Sequence, residues 1–177
     1  MSLHQSRTAS SSDEWQTPER VLELVRTVNR IALDPCTTKS NPVGADECYY
    51  LPKHDGLLLR WSVGAGLNYV NPPYGRAIAG WVECCVENSL WDCEIIALVP
   101  ANTDTRWYDR ANTTANARCE VRGRLTFKGA PAPAKFGSAV FYWGAQPYLF
   151  CHVFAALGRV AFLRDHMEPP ALQEAAE

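Results

Sequence analysis

Leu67-Asn68-Tyr69-Val70-Asn71-Pro72-Pro73-Tyr74-Gly75 is the stretch whose reading decides the fold. Leu67 to Val70 is an apolar run containing the β-type residues Tyr69 and Val70, and it ends in a turn through two prolines. The reading is a buried strand that stops sharply and presents Asn71 and Tyr74 at its carboxyl end, where open α/β sheets bind ligands. The prolines fix φ and remove two donors, so the turn's carbonyls are free to face outward. The turn also suits a particular chemistry. An exocyclic amine on a conjugated ring is a poor nucleophile because its lone pair is delocalised. The Asn71 side-chain oxygen and the Pro72 carbonyl can accept its two N–H bonds and draw the nitrogen towards tetrahedral geometry, while Tyr74 stacks on the ring. The plainer alternative is an Asn-capped Pro-Pro turn with Tyr74 as packing.

Upstream, Trp15-Gln16-Thr17-Pro18 opens a helix, with Thr17 at the N-cap, Pro18 at the first helical position and Glu19 favouring the dipole. Val21, Leu24, Val25 and Val28 recur at helical spacing. Ile31 to Leu33 reads as a short strand ending in Asp34-Pro35-Cys36, which places an acid at the crevice or in a turn cap. No G-x-G-x-x-G follows, so the common dinucleotide fingerprint is absent. Residues 37–53 read as loop with a short strand near Cys48 to Leu51, and Asp55-Gly56-Leu57 precedes the central strand.

Downstream, Arg76 to Leu90 reads as a helix burying Ile78, Trp81, Val82 and Cys85. Glu94 to Val99 has the continuous apolar character of a parallel strand buried on both faces. Thr103 or Asp104 is expected to cap a helix through Trp107 and Tyr108. Strands are expected within Cys119–Phe127, at Ser138–Trp143 and at Val160–Leu163, while His152–Leu157 fits helix or strand. The fold class predicted is α/β, a mostly parallel sheet with helices on both faces, in a single domain over 13–167. A disordered leader (1–12) and a flexible tail (168–177) flank it.

The chain has 177 residues, 47% apolar and 20% charged, the profile of an ordinary soluble domain. No apolar run has membrane-spanning length and no signal-peptide pattern appears, so a cytoplasmic address follows by default. Seven cysteines without a C-x-x-C pair and four scattered histidines signal neither a disulfide framework nor a metal site. With a net charge of −2, any nucleic-acid surface must be local. Between Arg118 and Lys135 such a surface is available: Arg118, Arg122, Arg124, Lys128 and Lys135 face only Glu120, a local excess of four positive charges. Its alternative is a solvated face.

D-E-W-Q-T-P (13–18), A-L-D-P-C (32–36), D-G-L (55–57), N-P-P-Y-G (71–75), L-V-P-A-N-T-D-T-R-W (98–107), G-R-L-T-F (123–127) and F-G-S-A-V-F (136–141) together resemble the phage-type DNA N6-adenine methyltransferase family, often called phage Dam-like. The resemblance implies a Rossmann-like fold that uses S-adenosylmethionine, encoded by a phage or prophage and acting in a bacterial host. It puts Trp15, Thr17 and Pro18 beside the methionine end of the cofactor, with Asp34, Cys36, Asp55 and Asn71 completing that site. Asn71, Pro72 and Tyr74 would be catalytic and hold a flipped adenine, Phe136 would be a second wall, and Tyr74, Arg122, Arg124 and Lys128 would meet DNA. Asp34-Pro35-Cys36-Thr37 replaces the glycine-rich loop of larger methyltransferases, and Asp46 and Glu47 are the candidates for a ribose acid. No metal is required. No long insertion resembles a target-recognition domain, so specificity comes from a few loops or is shared across a homodimer. N-P-P-Y also occurs in methyltransferases of protein glutamine and of RNA. Cytosine N4, RNA adenine and glutamine are therefore rival targets, and a DNA-binding protein without turnover is a rival of another class.

Overall fold

The computed structural model describes residues 16–61 and 66–164. Trp15, the leader and the 168–177 tail lie outside the described residues.

Among these residues seven strands form one sheet. In chain order the elements are α1 (Glu19–Val28), β1 (Ile31–Asp34), β2 (Glu47–Cys48), β3 (Leu67–Val70), α2 (Ile78–Ser89), β4 (Glu94–Pro100), α3 (Arg106–Thr114), β5 (Ala117–Val121), β6 (Ser138–Trp143), α4 (Pro147–Phe154) and β7 (Gly158–Phe162). The strand order is β2-β1-β3-β4-β6-β5-β7. The first four strands are parallel. The pairings β4–β6, β6–β5 and β5–β7 are antiparallel and include the two longest ladders, β4–β6 and β5–β7. The sheet is therefore mixed, and the mostly parallel, Rossmann-like sheet expected is not found. The reason is local to β6. All six of its residues are buried, so it has the two-faced apolar character of a parallel strand although it runs the other way. Periodicity reports burial and carries no information on direction.

Helices cover both faces. Strict alternation sends Leu67, Tyr69, Ile96, Leu98, Val140 and Tyr142 to the side packed by α1 and α4. Val70, Ile95, Ala97, Val99, Phe141 and Trp143 face α2 and α3. Each large apolar side chain fully buried in these two layers is worth about 1.5–3 kcal/mol. In α1 the buried stripe is Val21, Leu22, Val25 and Val28, so Leu22 replaces the expected Leu24. α4 resolves the ambiguous 152–157 segment as the end of a helix. The strand expected within 119–127 is β5, centred earlier, and β2 stops at Cys48.

Two caps differ from expectation. The N-cap of α1 is Pro18, with no side-chain cap bond. α3 is capped by Thr105, whose side chain accepts from the Tyr108 N–H, rather than by Thr103 or Asp104. Only the first of these changes the site, because it leaves the Thr17 hydroxyl free for another partner.

Candidate active site at the carboxyl ends of β1 and β3

β1 has β2 on one side and β3 on the other, so the chain switches direction across the sheet at the β1/β3 boundary. Such a boundary opens a crevice outside the carboxyl ends. Asp34 ends β1, and Asn71 follows β3. The β1–β3 register slips between Ile31 and Leu33, an irregularity of the kind that re-aims a strand end beside a site.

The turn is held by a chain of side-chain hydrogen bonds. Thr17 Oγ1, buried just ahead of α1, pairs with the Tyr69 hydroxyl at 2.8 Å. Asn71 Nδ2 donates to the same Thr17 oxygen at 3.2 Å, and the Tyr74 hydroxyl donates to Asn71 Oδ1 at 3.1 Å. The amide of Asn71 thus has its nitrogen committed to Thr17 and its oxygen turned towards Tyr74. Burial pushes the Tyr74 hydroxyl pKa up, so it stays a neutral donor. The Tyr74 ring meets Phe136 edge-on at 5.4 Å and Phe127 at 6.0 Å. Pro72 is buried, and its carbonyl takes no backbone hydrogen bond from another described residue. The segment carrying Thr17 is clamped to the 122–128 loop by paired backbone bonds between Gln16 and Lys128, at 3.1 and 2.8 Å.

Beside the turn lies a cavity of about 450 Å³, within the size range of small-molecule sites. Cys36 and Pro73 form its border with the turn, and Tyr49, His54, Asp55 and Trp81 are among its walls. The Cys36 thiol faces the backbone of Asn71 and has its pKa pushed well up by burial and by Asp34. Asp34 is 4% exposed. It accepts from the Cys36 N–H at 3.1 Å, so it does cap the turn. Burial nevertheless raises its pKa to about 6 against the lowering effect of those bonds. Asp55 caps its own turn by accepting from the Leu57 N–H at 3.1 Å. Next to it, Gly56 sits so close to β1 that a Cβ would lie 1.9 Å from the Pro35 carbonyl oxygen, so only glycine fits.

The structure brings Thr17, Asn71, Pro72, Tyr74 and Phe136 together at the turn, and Cys36 and Asp55 together in the cavity. Pro18 only ends the Thr17 segment, and Trp15 lies outside the described residues. Asp46 stands at the amino end of β2, away from the cavity, paired with Arg30. Glu47 is exposed on the same short strand. The cavity suits an adenosine-bearing sulfonium donor: its walls are partly aromatic and it has one carboxylate in its lining with another buried at its edge. Two of its lining residues, Trp81 and His54, each have one ring nitrogen (Nε1 and Nδ1) that is sealed from solvent and lacks a partner among the described residues.

The basic stretch divides. Arg118 is drawn inward, bonded to Asn112 and Glu120 and lying over the Tyr108 ring, which removes it from the phosphate-contacting set. Arg122, Arg124, Lys128 and Lys135 are exposed and form no ion pair with another described residue. Antiparallel pairing brings the end of β5 level with the start of β6 and the end of β4, so these residues leave the sheet on the rim that carries Asn71.

Sequence reasoning misses Tyr69, Phe127, Trp81 and His54. Tyr69 precedes Asn71 by two residues, and the period of a strand puts both on one face. Phe127 ends the G-R-L-T-F match. Trp81 belongs to the core face of α2, as expected, while also reaching the cavity. Nothing in the sequence marks His54.

Among the described residues no helix is long and apolar enough to cross a membrane, and no group of His, Cys, Asp or Glu could hold a metal ion. No curated protein matches the chain. A family model described as DNA N-6-adenine-methyltransferase (Dam) matches residues 5–140.

Proposed function

The chain belongs to the DNA N-6-adenine-methyltransferase (Dam) family, and from that premise we propose that it methylates adenine N6 at particular sites in DNA with S-adenosylmethionine as donor. The observation that carries the reading is the fixed amide of Asn71, held by Thr17 and Tyr74 directly beside the β1 cavity.

S-adenosylmethionine held in that cavity would supply a methyl group activated on a sulfonium. Cys36 and Asp55 would line its site, with Asp34 buried at the edge and Thr17 and Asn71 at the end nearest the turn. Adenine in a duplex is stacked and paired, so the base must leave the helix to be reached. Tyr74 gives it a stacking face, with Phe136 and Phe127 supporting the tyrosine ring. The amide oxygen of Asn71 has two lone pairs. One takes the Tyr74 hydroxyl, and the other is available to the N6 amine together with the Pro72 carbonyl. Acceptors fixed before the reaction favour the positive charge that develops on nitrogen, without reorganisation at the moment of transfer. Arg122, Arg124 and Lys128 would hold phosphates on the same rim, which positions the duplex without reading its sequence.

Cytosine N4, RNA adenine and glutamine fit the same turn, and the family match favours DNA adenine among them. Transfer of a tritiated methyl group to DNA, RNA and protein substrates, followed by nucleoside analysis, tests the choice. Label recovered as N6-methyladenine from DNA is expected. Label confined to RNA, protein or cytosine would refute the reading.

A further inference from the structure

The rim that carries Asn71 has a second loop, the one that follows β4. β4 pairs in parallel with β3, with Val70 level with Ala97, and runs on through Leu98, Val99 and Pro100. Its loop therefore leaves the sheet farther out than the turn after β3. On the other side of β4 the Ala101 N–H donates to the Gly137 carbonyl at 2.8 Å. Gly137 follows Phe136, whose ring meets Tyr74, so the loop at 102–106 starts beside the wall of the Tyr74 turn. Thr105 fixes it: its N–H and its hydroxyl donate to the Asn102 carbonyl at 3.1 and 2.8 Å, and its side-chain oxygen caps α3. None of these bonds uses the side chain of Asn102, Asp104 or Arg106. All three residues are exposed, and Asp104 and Arg106 form no ion pair with another described residue. Arg106 also opens α3, the helix end at which a cation is unfavourable, so the fold itself gives no reason for it.

The two loops on this rim differ in chemistry. From Arg122 to Lys135 every charged side chain is positive, which suits phosphates. Asn102-Thr103-Asp104-Thr105-Arg106 mixes an amide, a carboxylate and a guanidinium. A phosphate backbone repels a carboxylate. The same three groups match base edges: Asn pairs with adenine, Asp accepts from the cytosine amine and Arg donates to guanine. We propose that the 102–106 loop is the specificity-determining element of the methyltransferase, with Asn102 and Arg106 contacting base pairs that flank the target adenine. This rests on the DNA-methylation reading above, and it gives sequence preference a place in a chain whose basic loop only positions the duplex.

The test uses the full chain, S-adenosylmethionine and a duplex DNA library randomised on both sides of a central adenine, with methylated molecules read by sequencing. The wild type should favour particular bases beside the adenine. Arg106→Ala and Asn102→Ala should each lower discrimination at a flanking position by roughly five- to hundredfold, the range for one bidentate pair between a side chain and a base. Preferences elsewhere, melting temperature and S-adenosylhomocysteine affinity should hold. A uniform loss of rate on every sequence, with the preferences intact, is the mark of a phosphate contact and would overturn the assignment. Preferences and rates unchanged in one variant would remove that residue. Unchanged in both, they would overturn the proposal while the methylation reading stands. A wild type that methylates adenine without regard to its neighbours would overturn it as well. A wild type that methylates no DNA adenine would overturn both the proposal and the reading beneath it.

Discussion

At the residue scale, Thr17 has two possible uses and the fold gives it one. Its hydroxyl is spent on Tyr69 and Asn71 instead of on the first turn of α1. Thr17→Val should therefore act through Asn71: the amide loses the acceptor that fixes its orientation, and the methyl-transfer rate should fall roughly tenfold with DNA affinity little changed. Thr17→Ser should restore most of it. Asn71→Ala removes the acceptor itself, and single-turnover rates should drop by about 10²–10³, the range for losing one preorganised polar group. Affinity for DNA should change far less, as for an interaction strongest in the transition state. Thermal unfolding of each variant separates this from a packing role, in which activity would follow the folded fraction. Asp34 makes a different prediction. Its carboxyl titrates near the ordinary 3.8 when unfolded and at about 6 when folded. Between these values the folded state holds the extra proton, so stability is full below about pH 4 and falls as pH rises to about 6. The accumulated loss is about 3 kcal/mol. Asp34→Asn should flatten this part of the stability–pH profile and leave the free protein more stable than wild type at neutral pH. It should also weaken S-adenosylmethionine, whose cationic groups the carboxylate would otherwise offset. Chemical denaturation at pH 4 and 7, with calorimetry at pH 7, checks both halves.

At the element scale, what is legible in the sequence is what burial alone dictates. β3, β4, β6 and α2 carry continuous or periodic apolar patterns, and each lies close to its expected place. The turn after β3 is legible because two prolines permit few alternatives. Strand direction is not, since β6 is buried on both faces whichever way it runs. The cap of α1 escapes the local rule, which a threonine ahead of a helix satisfies, because here a buried tyrosine and the site amide compete for that threonine. The cavity is invisible for a related reason: its walls come from the segments that follow β1 and β2, the turn after β3 and the inner face of α2, and nothing but the fold brings them together. Asp55 is readable, yet the glycine after it turns out to matter as much. In Gly56→Ala the new methyl must displace the Pro35 backbone or move the Asp55 loop off β1. Binding of S-adenosylhomocysteine should be lost or fall by more than tenfold, accompanied by a clear drop in melting temperature. Gly80→Ala, on an open part of α2 where a Cβ meets nothing closer than 3.8 Å, is the control and should do neither. If Gly56→Ala binds as wild type does, the loop is not the cavity wall inferred here.

At the scale of the whole molecule, a protein of net charge −2 that acts on DNA must concentrate its positive charge where the substrate lies. The mixed sheet provides the means. Because β5 and β6 run antiparallel to each other, the 122–136 connection between them emerges on the rim reached by the parallel strands β1, β3 and β4. Phe127 and Phe136 then pack against Tyr74 from that connection, while Arg122, Arg124 and Lys128 stay in solvent. The Gln16–Lys128 backbone pairing ties the same loop to the segment that carries Thr17, so the basic loop and the Asn71 amide share one support. Two substitutions separate the roles within what the sequence shows as a single basic run. Arg122→Ala with Arg124→Ala should weaken DNA binding while leaving S-adenosylhomocysteine affinity intact. On duplex DNA it should also flatten the dependence of log affinity on log salt by about 0.9 for each phosphate that is no longer neutralised. Arg118→Ala should leave that slope alone and lower the melting temperature instead, because it removes the partner of Asn112 and Glu120 and the cation over Tyr108. An unchanged salt slope in the double variant would make Arg122 and Arg124 part of an ordinary solvated face. A reduced slope in Arg118→Ala would mean that this side chain leaves its pocket to meet the substrate.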